Sequence, residues 1–240
     1  MLRHLETGDP VDMLEMLFSE SRETEGRPWV MLNMVESVDG ATAVDGGASA
    51  LNDADDRALF LALRAVADVV LIGAQTVRSE KLGPIRLDEE MVRHRREAGI
   101  EGDPKLVILT RSLGLDPGHR VFSDQARRPM ILTGVDADPD RISKLTEVAD
   151  INQTEQLDGS GIVSALRDAS VVLCEGGPSV NSELIAADVV DEVNLTLSPL
   201  LALGESKRVA SGDALESPTR MQIDRTLIGD QSLFLRFVRA

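Results

Sequence analysis

The sequence predicts an α/β protein with a mostly parallel central sheet, helices on both faces and an antiparallel C-terminal strand. Short apolar runs of buried-strand character alternate along the chain with segments of helical period. Several of those runs stop at polar or glycine-rich turns, where the strands of an open parallel sheet present their carboxyl ends. The last run sets Leu233, Leu235 and Phe237 against Phe234, Arg236 and Val238, an alternation that suits an antiparallel strand.

In chain order, Val11, Leu14, Leu17 and Phe18 lie at helical spacing, so residues 1–27 read as a helical extension appended to a single domain over 28–240. Residues 29–35 form a buried strand that ends in the turn chemistry of Ser37, Val38, Asp39 and Gly40, and a Gly/Ala/Asp-rich loop follows over 41–50. Asn52 or Asp53 caps a helix running through Leu59, Leu63 and Val66, and the strand 69–72 leads into a turn over 73–77. Beyond a polar, Arg-rich stretch come strands at 105–109 and 129–132 and a helix at 138–148. A helix at 162–166, a strand at 170–174, a helix at 180–187 and strands at 189–197 and 232–238 complete the pattern.

Composition limits what this fold does. With 240 residues the chain buries one sizeable core, and 42% hydrophobic with 28% charged residues is a soluble globular balance. A net charge of -16 without a dense basic run argues against nucleic acid or an anionic membrane surface as partner. The one cysteine, Cys174, ends an apolar run and reads as an inert buried thiol in a reducing compartment. No signal-peptide core or membrane-spanning run is present, so the expected location is the cytoplasm. His4, His94 and His119 stand far apart, and no metal site is expected.

The richest stretch is 171–179, where Val171, Val172, Leu173 and Cys174 run into Glu175, Gly176, Gly177, Pro178 and Ser179 before a helical segment. Glycines allow backbone N–H groups to approach a ligand closely, and a helix N-terminus offers its positive dipole end to an anion. The same residues also make a bare strand-to-helix turn. With the turns 37–40 and 73–77 they point to the strand-end crevice as the site, and none of them is the alternating-glycine fingerprint of a standard Rossmann domain. Thr110, Arg111 and Ser112 follow a fourth strand; an arginine with two hydroxyls suits a phosphate monoester, such as a dinucleotide's 2′-phosphate, and also reads as a solvated loop.

In order and spacing, Asn33 with Ser37 to Gly40, Leu63-Arg64-Ala65, Gly73 to Val77, Glu175 to Pro178 and Val190-Asp191-Glu192 resemble the pyrimidine reductase family of riboflavin biosynthesis over residues 28–238. The resemblance implies the dihydrofolate reductase fold, a homodimer, and NADPH-dependent reduction of the ribosyl group of 5-amino-6-(5-phosphoribosylamino)uracil. It implies cofactor contacts at Gly73, Ala74, Thr76, Val77, Gly176, Gly177, Pro178, Ser179 and Val180, with Thr110, Arg111 and Ser112 at the adenosine end. On the substrate side it implies Asn33, Ser37, Asp39, Ser49, Arg64 and Glu175. Asp39 and Glu175 are the candidate proton donors, and a bound water would serve equally. Read without the resemblance, Arg64 is a surface arginine.

The chain departs from the family in three places. Only residues 1–27 precede the reductase region, so no zinc deaminase activity is expected. Asn33 stands where many bifunctional members have lysine. After Val77, Arg78 to Arg86 replaces the usual paired aspartates and proline, which weakens any role for Glu80 and Arg86. That altered segment keeps a dihydropterin or dihydrofolate reductase as the alternative, beside a non-catalytic nucleotide-binding protein.

Overall fold

A computed structural model describes residues 1–80 and 82–240. In chain order the elements are β1 (Arg3–His4), α1 (Met13–Ser19), β2 (Trp29–Ser37), α2 (Ala54–Val66), β3 (Val69–Gly73), α3 (Ala74–Ser79), α4 (Glu89–Glu97), β4 (Lys105–Leu109) and β5 (Met130–Gly134). They continue with α5 (Pro139–Thr146), β6 (Asp150–Thr154), α6 (Gly159–Ala165), β7 (Val171–Cys174), α7 (Pro178–Ala186), β8 (Glu192–Ser198), β9 (Met221–Ile228) and β10 (Leu233–Arg239). The strands make one sheet in the order β1-β9-β10-β8-β2-β7-β3-β4-β5-β6. From β8 to β6 all neighbours are parallel. β10 runs antiparallel to both β8 and β9, and β9 pairs antiparallel with β1, so the antiparallel edge is wider than the single strand expected.

Strand alternation explains the two-sided core. Along β3, Val70 and Ile72 enter one layer with Leu17 of α1, Leu59 and Leu63 of α2 and Leu145 of α5. Val69 and Leu71 enter the other with Ile162 of α6 and Val180 and Leu184 of α7. Each such side chain contributes roughly 1.5–3 kcal/mol on leaving water, so these layers fix the helices to the sheet. The N-terminal segment expected as an appendage is tied into the first layer, because Leu2 and Leu17 are buried there and Arg22 Nε donates to Glu192 of β8 at 3.1 Å.

Helix starts follow one rule with two exceptions. Asp12, Asp53, Asp88, Asp138 and Asp158 cap α1, α2, α4, α5 and α6, each carboxylate accepting a backbone N–H of the first turn. Both α3 and α7 start instead on glycines, Gly73 and Gly177, with no side-chain cap. The turn expected over 73–77 is therefore the end of β3 and the first part of a helix.

On β8 the usual burial pattern is inverted: Glu192, Asn194, Thr196 and Ser198 are buried, while Val193, Leu195 and Leu197 are half-buried on the opposite face. The buried polar side is satisfied at Glu192, which accepts from Arg22, Trp29, Asn194 and Arg236. Burial pushes the Glu192 carboxyl up, and the nearby Arg22 and Arg236 guanidiniums outweigh this and hold it below the usual range. The outward apolar side continues across β10, where Leu197, Leu195 and Val193 stand opposite Leu233, Leu235 and Phe237.

Candidate active site

The parallel strands β2, β7, β3 and β4 open at their carboxyl ends into a cavity of about 1240 Å³. This exceeds the roughly 300–1,000 Å³ of a site for one drug-sized ligand, and leaves room for two reactants side by side. Asn33, Arg64, Gly73, Ala74, Thr76, Thr110, Arg111, Ser112, Glu175, Gly176, Gly177, Pro178, Ser179 and Val180 all line it, so most of the residues expected from sequence converge. Val77, on the inner face of α3, is buried in the core and does not line the cavity. Ser37 is buried under its turn, while Asp39 and Ser49 are exposed and neither lines the cavity. Lys81, inside the altered 78–86 segment, lies outside the described residues.

On one side of the cavity the backbone is bare. α7, nine residues long, begins on Gly177 with no side-chain cap. Pro178 has no N–H and the Val180 amide donates to Gly177 O at 2.9 Å, so among the described residues the amides of Gly177 and Ser179 are the ones left for a ligand at the positive dipole end. Gly73 packs beside it, its N–H donating to Gly176 O at 2.9 Å. The approach leaves no room for side chains: a Cβ on Gly177 would sit 3.0 Å from Thr76 Oγ1, and one on Gly73 would sit 3.1 Å from Val180 Cγ2. Gly176 has φ +87°, a conformation that favours glycine, and its bond to Gly177 is cis. This cradle fits an anionic diphosphate.

Past the cradle, Arg111 Nη2 donates to Glu183 Oε1 at 2.7 Å and to Leu157 O at 3.0 Å, spanning α7 and the loop before α6. The Thr110 hydroxyl accepts from Leu113 N, and the Ser112 carbonyl from Arg141. The triplet is thus organised into the cavity rim.

On the opposite side, Arg64 is 7% exposed on the inner face of α2, not the surface arginine that its sequence alone suggested. Its Nε and Nη2 donate to the two Glu175 oxygens at 2.6 and 2.7 Å, and its guanidinium lies 4.2 Å over the Phe60 ring centroid. Both oxygens of Glu175 are therefore committed as acceptors to one cation, the geometry of an anchor for Arg64 rather than of a donor carboxyl.

Asp39 requires a correction. Its carboxylate accepts from Ser37 Oγ at 2.5 Å and from the backbone N–H groups of Leu203 and Ala202 at 2.7 and 3.1 Å. The Ser37 hydroxyl first, and then those two amides, lower its carboxyl to about 2, so at neutral pH it has no proton to give. Its observed work is to clamp the loop after β8, whose Ala202 and Leu203 form part of the cavity wall.

Residues 28–233 match the family model of the RibD C-terminal domain. The chain belongs to the RibD C-terminal domain family. A 2,5-diamino-6-ribosylamino-4(3H)-pyrimidinone 5′-phosphate reductase from Methanothermobacter thermautotrophicus is 24% identical over 220 residues, 88% of this chain and 98% of its own length. One of the same name from Archaeoglobus fulgidus is 24% identical over 202 residues, 82% of this chain and 92% of its own. Among solved structures, a pyrimidine reductase-like protein from Corynebacterium diphtheriae superposes with a TM-score of 0.84 at 24% identity, covering 96% of this chain and 99% of that one. A dihydrofolate reductase from Enterococcus faecalis, at 11% identity, gives 0.51 over 88% of this chain and 96% of its own. The fold is dihydrofolate reductase-like, as expected.

Within this RibD C-terminal domain, several cavity residues escape a reading of the sequence. Phe60, the loop residues Ala202, Leu203, Glu205, Ser206 and Lys207, and Asp56 all contribute to the wall. Asp56 is 6% exposed in the first turn of α2. Burial pushes its carboxyl up, the Thr196 hydroxyl opposes this, and the Asp53 charge adds to the rise. One sequence signal existed: Asp56 stands three and seven residues before Leu59 and Leu63, in phase with the apolar stripe of α2.

Proposed function

We propose that the chain is an NADPH-dependent oxidoreductase that reduces the ribosyl group of 5-amino-6-(5-phosphoribosylamino)uracil to the ribitylamino compound. The observation that carries this reading is the division of one cavity into a bare cradle at Gly73 and α7, and a polar wall of Asn33 and the Arg64–Glu175 pair. The family and the reductase names of the two archaeal relatives, which this chain covers almost end to end, support the same chemistry.

Gly73, Ala74, Thr76 and Gly176 to Val180 would hold the diphosphate of NADPH, with Thr110 to Ser112 at its adenosine end. When bound, the reduced nicotinamide supplies the hydride. Arg64, fixed by Glu175 and Phe60, keeps Nη1 free of any hydrogen bond among the described residues, a donor aimed for the substrate phosphate. Asn33, midway along β2, carries both donor and acceptor groups to read a pyrimidine edge. The clamped loop after β8 supplies Ala202 and Leu203 to the cavity wall.

A second substrate is favoured by a specific observation. The archaeal relatives are named for 2,5-diamino-6-ribosylamino-4(3H)-pyrimidinone 5′-phosphate, which carries an amino group where the uracil compound has an oxygen. The test presents NADPH or NADH with each pyrimidine phosphate and with dihydrofolate, following absorbance of the reduced nicotinamide. Oxidation of NADPH by either pyrimidine supports the reading. Turnover with dihydrofolate alone, or tight NADPH binding with no turnover at all, contradicts it.

A homodimer belongs to the same proposal. The outward apolar face of β8 and β10, uncharged at Val193, Leu195, Leu197, Leu233, Leu235 and Phe237, is the surface that a second copy would cover.

A further inference from the structure

The reaction proposed above leaves one requirement unmet, the proton, and this inference rests on that reading. As the hydride forms the new C1′–H bond, the C1′–O4′ bond of the ribosyl group breaks. The electron pair left on O4′ must then take a proton. The two carboxyls that sequence offered for the task are occupied elsewhere: Asp39 lies off the cavity with its charge clamped, and Glu175 accepts twice from Arg64. Among the other carboxyls on the wall, Glu183 is paired with Arg111, and Asp45, Glu80 and Glu205 are solvent-exposed rather than enclosed against the reacting atoms.

Asp56 differs from all of these. It reaches the cavity from the first turn of α2 and is buried, and among the described residues no lysine, arginine or histidine comes within ion-pair distance of it. We infer that Asp56 is the general acid of this site, its O–H bond breaking to place the proton on O4′ while the electron pair stays on the carboxylate, which solvent reprotonates between turnovers.

The surroundings favour a neutral carboxyl. Asp53, on the same helix, presents a negative charge and is held by Ser232 and the Asp56 backbone N–H. From β8, the Thr196 hydroxyl acts the other way and favours the charged form, but burial outweighs it. Asn33 of β2 lines the same cavity, as does the internally neutralised pair of Arg64 on α2 with Glu175 in the turn after β7. On α2 itself, Asp55 is tied to the N-terminal amine and Arg57 is exposed.

The test compares wild type with Asp56→Asn and Asp56→Glu in the full chain, using NADPH and each pyrimidine phosphate. General acids contribute about 10²–10⁴-fold, so Asp56→Asn should lower kcat by about 100-fold or more while the Kd for NADPH stays within about twofold. Wild-type kcat/KM should fall as pH rises through the elevated acid limb, a limb that Asp56→Asn lacks and Asp56→Glu partly restores. A purely structural aspartate predicts the opposite signature: loss of thermal stability in Asp56→Asn with an unchanged pH profile. An Asp56→Asn variant that folds and keeps wild-type kcat overturns the assignment alone. A wild-type chain that turns over neither pyrimidine overturns it together with the proposed function.

Discussion

Replacing Glu175 by Gln should expose the dependence of this site on the Arg64–Glu175 pair. The two side chains are 9% and 4% exposed, and two hydrogen bonds of 2.6 and 2.7 Å join them. Removing one partner of a buried pair leaves an uncompensated charge and costs about 3–5 kcal/mol. For a chain of this size, each kcal/mol moves the melting temperature by about 2–4 °C, so Glu175→Gln should melt about 6–20 °C below wild type by scanning calorimetry. The double variant Arg64→Met with Glu175→Leu replaces both charges with apolar groups and should recover most of that loss. Recovery should not extend to substrate: without the Arg64 donors the KM for the pyrimidine phosphate stays raised by about tenfold or more, while the Kd for NADPH changes little. A fall of under ~2 °C in Glu175→Gln would refute the burial argument. Wild-type KM in the double variant would remove Arg64 from the substrate site.

Three other perturbations reach separate parts of the account. Gly177→Val should weaken NADPH by about tenfold or more, since even a Cβ there meets Thr76 Oγ1 at 3.0 Å; unchanged affinity in a folded variant, measured by calorimetric titration, argues against backbone approach to the cofactor. Asp39 has a depressed folded pKa, about 2, so the stability it contributes is present above its unfolded pKa near ~4 and lost as pH falls towards 2. Asp39→Asn should therefore flatten the loss of denaturant stability between those pH values and quicken proteolysis in the loop after β8, and an unaltered slope would contradict the clamp. Leu235→Glu, on the outward face of β10, should turn a dimer into a monomer by light scattering, and a dimer that persists would place the contact elsewhere.

Legibility in the sequence followed burial. β2, β3, β4, β5 and β7 were readable because strands covered on both faces need continuous apolar runs, such as Val69–Gly73. β6 and β9 were not, because Asp150–Thr154 and Met221–Ile228 lie near the sheet edges with exposed polar residues in the run. In α4, the segment Glu89–Glu97 holds only Met91 and Val92 as apolar residues, too few for a periodic signal; its cap Asp88 and buried Arg95 do the anchoring. At the site, glycine turns were visible as local chemistry, whereas the Arg64–Glu175 pair joins positions 111 residues apart. Asp39 and Asp56 illustrate the same limit: one resembled a catalytic carboxylate and proved to be a loop clamp, and the other resembled helix-start decoration and proved to be buried against the cavity.

The central claim is that the crevice beyond β3 and β7 holds a reduced dinucleotide with its diphosphate on the bare start of α7. A crystal structure of the chain with NADPH tests it most directly. The account predicts diphosphate oxygens within hydrogen-bond distance of the backbone N–H groups of Gly177 or Ser179, with the nicotinamide ring turned towards the side of the cavity that carries Asn33 and Asp56. A diphosphate bound away from α7, or a nicotinamide facing away from that wall, would contradict it.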